Sequence, residues 1–353
     1  MPKPVKTFNP VLGVTRFIAG LPKAELHMHI EGSIEPLMMF QLASRNGISL
    51  RWNSVEELRE AYRFDNLQSF LDLYYDGCRV LVKEQDFHDV TIAYLRRASE
   101  ECVRHTEMFI GPQGHTRRGI AMATVLEGVL SAMRQVQGET GITSGLILGA
   151  QRHLDESEAL TMLEDAMPWA GQILGFGLGG AEVGNPPEKF ARFFAHARER
   201  GFKITAHSGE EGPAAYVQQA VHTLRVDRVD HGNTAMNDPA LVRQLAFLGT
   251  PLTVCPLSNL RLHVVEAMTD HPLKKMLEAG LCVTVNSDDP SYFRGYINAN
   301  FAACNEALAL SLDDMAQLAR NSFTASFLPD AAKKRHVSAV NEWCASFREA
   351  AVP

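Results

Sequence analysis

The stretch LHMHIEGS, residues 26–33, sets two histidines one residue apart, behind an apolar run and ahead of an acidic residue and a glycine. In a β-strand, residues i and i+2 face the same side. A strand over 24–30 (AELHMHI) would therefore carry His27 and His29 together to its C-terminal end, as a pair of imidazoles suited to a metal ion such as zinc. Alone, a His-x-His pair is also what chance supplies. Its meaning rests on what the remaining chain adds.

Further apolar, β-branched runs follow at 103–110 (VRHTEMFI), 144–150 (SGLILGA), 173–178 (ILGFGL), 202–207 (FKITAH), 227–231 (DRVDH), 251–255 (PLTVC) and 281–286 (LCVTVN). Amphipathic patterns lie between them, such as PPEKFARFFAHARERG (186–201) and AAYVQQAVHTLR (214–225). Strands alternating with helices imply a parallel sheet. Eight such units predict an α/β chain folded as a (β/α)8 TIM-type barrel, whose catalytic residues collect at the C-terminal ends of the strands. Two segments exceed a minimal barrel. Residues 35–100, mostly helical in pattern, are expected as a cap over the mouth, and residues 311–350 as closing helices. No repeat or linker divides the chain, so one domain over 1–353 is expected.

Composition excludes several classes. The 353 residues are 46% hydrophobic and 21% charged, and 34 Lys plus Arg against 41 Asp plus Glu give a net charge of −7. No basic block is present, so a nucleic-acid partner is not expected. Cys78, Cys102, Cys255, Cys282, Cys304 and Cys344 are scattered without a C-x-x-C pair, as reduced core thiols are in a cytoplasmic protein. No apolar run reaches membrane-spanning length, and the start MPKPVKTFNP lacks a signal-peptide core. A soluble cytoplasmic protein with no membrane partner is the expectation.

Polar clusters fall at other strand ends. TAHSGEEG (205–212) puts His207 at the rim and Glu210 three residues on, past Gly209, where the chain can turn sharply. VDHGN (229–233) ends in His231 and a glycine, and NSDDP (286–290) carries Asp288 and Asp289, which must point differently. Singly, His231 reads as a core histidine and the Asp pair as a helix N-cap before Pro290. Four such clusters at the ends of four strands of one barrel indicate a shared site.

The motifs ELHMHIEGS, AHSGEEGP, RVDHGN, LTVCPLSN and VNSDDPSYFRGY resemble, in order, those of the adenosine/adenine deaminase family of the amidohydrolase superfamily, from about residue 21 to the end. The stretches FLDLYYDGCRVLVKEQDF (70–87), PQGHTRRGI (112–120), GNPPEKF (184–190) and CPLSN (255–259) are similar to the adenine-type branch. So is Glu31, where adenosine-type members carry an Asp that helps hold the ribose. The resemblance implies a zinc-bearing barrel that hydrolytically deaminates a 6-aminopurine base, adenine foremost, in purine salvage. It implies one Zn2+ per subunit on His27, His29, His207 and Asp288. Glu210 would pass a proton to purine N1, His231 would orient the water on the zinc, Asp289 would hold N7, and the Gly180 N–H would meet N3. Glu31 would fill the space that a ribose needs. Self-association stays open.

The chain departs from the adenine-type pattern in LGGAE (178–182), where Gly179 and Gly180 replace an acidic residue and a serine. It departs again at Gly111 in FIGPQ (109–113) and at Arg294 in SYFRGY (291–296). Drift is one reading; a pocket reshaped for an N6- or ring-substituted adenine is another. Adenosine is a third substrate, opposed by Glu31. A binding protein that had lost catalysis would be expected to have damaged metal ligands, and these are intact. His88, His105, His115 and His336 have no clustered partners in the sequence and receive no role; Arg152 and His153 receive a supporting place in the mouth.

Overall fold

Eight strands form where the apolar runs predict them: β1 Lys23–His29, β2 Val103–Ile110, β3 Thr143–Gln151, β4 Gly175–Gly179, β5 Lys203–Ser208, β6 Arg228–His231, β7 Leu252–Val254 and β8 Val283–Val285. This computed structural model describes residues 10–351; the stretch 1–9, which holds most of the segment read as lacking a signal-peptide core, lies outside them. Neighbouring strands pair in parallel and in chain order. The seam between β8 and β1 is closed by a bridge between Met28 and Asp288. There His29 N–H donates to the Asp288 carbonyl at 2.9 Å and Asp288 N–H to the His27 carbonyl at 3.1 Å. The chain is thus a (β/α)8 barrel whose closing hydrogen bonds run through three of the expected site residues.

The insertion after β1 begins with the helices Pro36–Asn46, Val55–Ala61 and Leu67–Cys78. A capping box between Asn66 and Ser69 starts the last of these. Its buried residues Leu67, Phe70, Leu71, Tyr74 and Cys78 recur at helical spacing, so one apolar stripe faces down into the mouth. The next helix, Glu84–Glu100, packs beside Met122–Thr140 and leads into β2. It is the crossover helix of the first βα unit, so the cap proper ends near Cys78, short of residue 100. Helices Leu312–Ala325 and Asp330–Ala351 close the chain, the first lying against β8 and β1. A helix Pro10–Gly20, which the pattern did not announce, precedes β1 and accepts a hydrogen bond from Trp343 Nε1 at the Phe17 carbonyl, 3.2 Å away. None of the described helices is long and apolar enough to cross a membrane, and the six cysteines are free thiols.

Below the mouth the barrel interior holds charge as well as hydrocarbon. Arg228 is ion-paired with Glu107 and donates to the Leu26 carbonyl at 3.0 Å, while His105 Nε2 lies 3.1 Å from Glu107 Oε1. His105 therefore has partners that the sequence did not reveal. Burial pushes the Glu107 carboxyl up, but the Arg228 charge and the His105 hydrogen bond outweigh it and hold it at about 2. Because that value lies below the ordinary 4.5, the stabilisation is complete above about 4.5 and is lost as pH falls toward 2. Glu107→Ala strands the buried Arg228 guanidinium and is expected to destabilise the fold by about 3–5 kcal/mol. A urea midpoint unchanged from wild type would refute this.

Candidate active site

Alternation along β1 turns His27 and His29 to the barrel axis and buries Leu26 and Met28 on the opposite face. His207 comes up from β5 and Asp288 from the loop after β8. His27 Nε2 lies 3.0 Å from His207 Nε2, which is 3.2 Å from His29 Nε2. Asp288 Oδ1 is 3.3 Å from both His27 Nε2 and His29 Nε2. The remaining nitrogens of His27 and His207 face polar neighbours. Thr253 Oγ1 donates to Asp230 Oδ1 at 3.0 Å and so accepts from His27 Nδ1 at 3.0 Å. That leaves the lone pair of His27 Nε2 facing its neighbours. His207 Nδ1 faces Asp230 Oδ2 at 3.5 Å. One buried carboxylate thus orients two imidazoles, an arrangement that raises ligand basicity in metal sites.

This donor set fits a divalent cation. Ligands bound at about 2.0–2.2 Å are themselves roughly 3.0–3.5 Å apart, which matches the spacing here. The electrostatics agree. Burial pushes the Asp288 carboxyl up and His27 down, yet their mutual attraction outweighs it, lowering Asp288 and raising His27. Burial, with the His27 and His29 rings beside it, pushes His207 down to about 4, so that ring is held with its lone pair free.

Beside the hand lie the groups that could act on a substrate. His29, Glu31, Gly180, His207, Glu210, His231, Asp288 and Asp289 line one cavity, and His27 sits directly behind it. His231 Nε2 is 3.5 Å from Glu210 Oε2 and 3.9 Å from Asp288 Oδ2. Strand alternation would send His231 away from its neighbour Asp230, but its φ of 65° breaks the pattern, so His231 lines the cavity while Asp230 lies beneath it against Thr253 and His207; Asp288 has φ 63°. Burial outweighs the pull of Asp288 and Asp230 and pushes His231 well below its ordinary value, toward the neutral ring. Burial, with the charge of Asp288, pushes both Glu210 and Asp289 well above the carboxylate range. Burial also raises Glu31, but hydrogen bonds from His115 and the Gly111 N–H outweigh it and hold Glu31 below its ordinary value. Besides the Asp288 carboxylate, the cavity thus presents two carboxyls pushed toward their protonated form, Glu210 and Asp289, and one held toward its ionised form, Glu31.

Sequence reading gave Arg152 a supporting place but missed the other groups that hold these residues in place. Glu182 is fully buried. Its carboxylate accepts the successive N–H groups of Gly209, Glu210, Glu211 and Gly212 at 2.7, 3.0, 2.8 and 2.8 Å. Arg152, also fully buried, donates to the His207 carbonyl at 2.6 Å. The loop that carries Glu210 is thus bracketed by two buried charges, one on its donors and one on its acceptor. His115 is not isolated: its Nε2 lies 3.0 Å from Glu31 Oε1. Glu182, Asp230 and His115 gave no signal beyond being acidic or imidazole groups in apolar surroundings.

Of the departures, Gly179 borders the hand, since a Cβ there would approach the His207 ring at 3.6 Å. Gly180 has φ +93°, and a Cβ would meet the Tyr75 hydroxyl at 3.5 Å and His153 Nδ1 at 3.6 Å. Gly111 faces Glu31. Arg294 lies outside the cavity and donates to the Arg59 carbonyl of the cap at 2.7 Å, so it bears on the cap and not on the pocket.

A parallel barrel whose C-terminal face gathers three imidazoles, a carboxylate and a neighbouring neutral acid defines an amidohydrolase-type metal site. The family model for adenosine deaminase matches residues 22–343, and the chain belongs to that family of hydrolytic deaminases. It is 58% identical to an adenine deaminase of Rhodopseudomonas palustris, over 88% of this chain and 91% of that one. The crystal structure of an adenine deaminase from Arthrobacter aurescens superposes with a TM-score of 0.90 at 48% identity, covering 92% of this chain and 99% of that one. An amidohydrolase from Burkhoderia ambifaria with bound Zn superposes with a TM-score of 0.88 at 27% identity, over 98% and 97% of the two chains.

Proposed function

We propose that this chain is a zinc-dependent aminohydrolase of free 6-aminopurines, converting adenine and water to hypoxanthine and ammonia. The observation that carries the reading is the buried, unpartnered Oε2 of Glu31 in the cavity, and the directions in which burial and charge push the neighbouring carboxyls agree with it. Glu210 and Asp289, kept neutral, can donate, whereas ionised Glu31 can only accept. Adenine offers the complement: acceptors at N1 and N7, and a donor at N9–H. Glu31 Oε2 is buried with no protein partner, and it is the oxygen assigned to that N–H. A nucleoside has no N–H at position 9 and would leave this oxygen unpaired, a substantial penalty in a buried site. The Gly180 N–H is assigned to N3.

His27, His29, His207 and Asp288 would hold the zinc, which when bound supplies the Lewis acidity that brings the pKa of water from 15.7 to about 7. Glu210 gives its proton to N1 as the oxygen of water bonds to C6, and neutral His231 takes a proton from that water. The tetrahedral carbon then expels its amine. His231 returns its proton to the nitrogen, the C6–N bond breaks, the remaining hydroxyl proton passes to Glu210, and C6=O forms. Hypoxanthine leaves with N1 protonated. The adenine deaminases among the relatives and the zinc-bound amidohydrolase support this reading. It takes barrel, cap and closing helices as one functional unit, cytoplasmic and serving purine salvage, with a small purine as partner and no nucleic acid.

A second reading, deamination of an N6-substituted adenine, is favoured by Gly179, which leaves space beside the metal hand. One experiment separates the readings: turnover of adenine, adenosine and N6-methyladenine by the zinc-loaded protein, read as ammonia release and ultraviolet change. Adenine is expected to exceed adenosine by about 10⁴-fold in kcat/KM, the discrimination typical of a site built to bond a group the rival lacks. Equal rates on adenine and adenosine would overturn the free-base reading.

A further inference from the structure

We propose that Arg118 and His115 are positioning residues for base selection, fixing Glu31 so that one oxygen stays free for a ring N–H. This rests on the free-base reading above. The argument begins with a donor that cannot accept. Arg118 lies just beyond the short helix Gln113–Thr116, and its Nη2 is 2.8 Å from His115 Nδ1. A guanidinium only donates, so Nδ1 must be the acceptor and the ring proton must sit on Nε2. That Nε2–H points at Glu31 Oε1, 3.0 Å away, and the Gly111 N–H donates to the same oxygen at 2.9 Å. Two donors thus saturate Oε1, and Oε2 is the oxygen left over. His115 is fully buried, with the Phe87 ring edge-on at 4.8 Å, so it has little freedom to turn away.

The same guanidinium reaches the cap. Arg118 Nη2, whose two protons serve His115 and the cap together, lies against the Leu81 carbonyl and 3.0 Å from the Cys78 carbonyl, while Nη1 donates to the Arg79 carbonyl at 3.2 Å. These carbonyls end and follow the helix Leu67–Cys78, whose apolar stripe covers the mouth. One cation therefore sets the tautomer of His115, and through it the aim of Glu31, while anchoring the helix that would lie over a bound base. A bulky group at N9 meets both a misplaced acceptor and a tethered cap.

The test compares adenine with 9-methyladenine, which keeps the ring and loses only the N–H. In His115→Phe, Glu31 keeps one donor and can rotate. Because the N–H contact is made in ground state and transition state alike, KM for adenine should rise with kcat little changed. The adenine to 9-methyladenine ratio in kcat/KM should shrink about 10- to 100-fold, the worth of a hydrogen bond to a charged group. His115→Gln, whose amide can accept from Arg118 and donate to Glu31, should restore most of the ratio. A ratio in folded, zinc-loaded His115→Phe equal to wild type overturns the proposal, as does failure of His115→Gln to outperform it. If His115→Phe does not fold, Arg118→Met is judged by the same ratio, shrinkage supporting the relay and constancy overturning it. The free-base reading fails separately, if the wild type itself turns over 9-methyladenine as fast as adenine.

Discussion

Glu210→Gln is expected to lower kcat by about 10²–10⁴-fold, the usual contribution of a positioned acid or base, with the metal retained. Burial and the charges of Asp288 and Glu182 push the Glu210 carboxyl up, toward its protonated form. Glutamine has the same size and can still donate a hydrogen bond to N1, but it has no proton to give. The loss should therefore fall on kcat and leave KM nearly constant. The wild type should also lose activity as pH rises through the raised pKa of Glu210, because the protonated form is the working one. Steady-state kinetics with metal analysis of the variant decide the matter. A near-normal kcat in a zinc-replete Glu210→Gln protein would remove Glu210 from the mechanism.

Stripping the metal with a chelator is expected to lower turnover by about 10³–10⁵-fold, corresponding to several kcal/mol of transition-state stabilisation. It should also lower Tm. An ion that binds only the folded chain stabilises it by mass action, and without it three imidazoles and a carboxylate face one another within 3.0–3.3 Å. Readdition of zinc should restore both properties. His207→Ala should lose the metal and resist rescue. A stripped protein that keeps full rate and melts at the same temperature would show that the cluster has another purpose.

The strands were legible because each is a short β-branched run bounded by turn residues, and the site because its polar groups end those runs. His207, His231 and the Asp288–Asp289 pair could be read without coordinates for that reason. The groups that orient them could not. His115 meets Glu31 across 84 residues of chain, and Glu182 reaches the Glu210 loop across some 30. A lone buried acid or imidazole carries no periodicity to betray its partner. Helical spacing likewise tells which face of a helix is apolar but not what it meets, so the crossover helix Glu84–Glu100 looked like more of the cap. Arg294 was read with the departures that could reshape the pocket. Its φ of 61° and its bond to Arg59 turn it toward the cap instead.

Two positions at the mouth, His231 and Asp288, hold backbone angles that side chains rarely adopt. Each such residue costs about 1–3 kcal/mol, a large share of the few kcal/mol that separate a folded domain from its unfolded chain. An engineer in search of a hardier scaffold could relieve the strain at His231 with glycine or asparagine, whereas at Asp288 the same change would also forfeit a metal ligand and the stability the ion lends. The heat-tolerant barrel so obtained would be inert, because the angles that weaken it are the ones that turn its histidine and aspartate inward. Endurance and turnover compete in this chain at single, nameable residues.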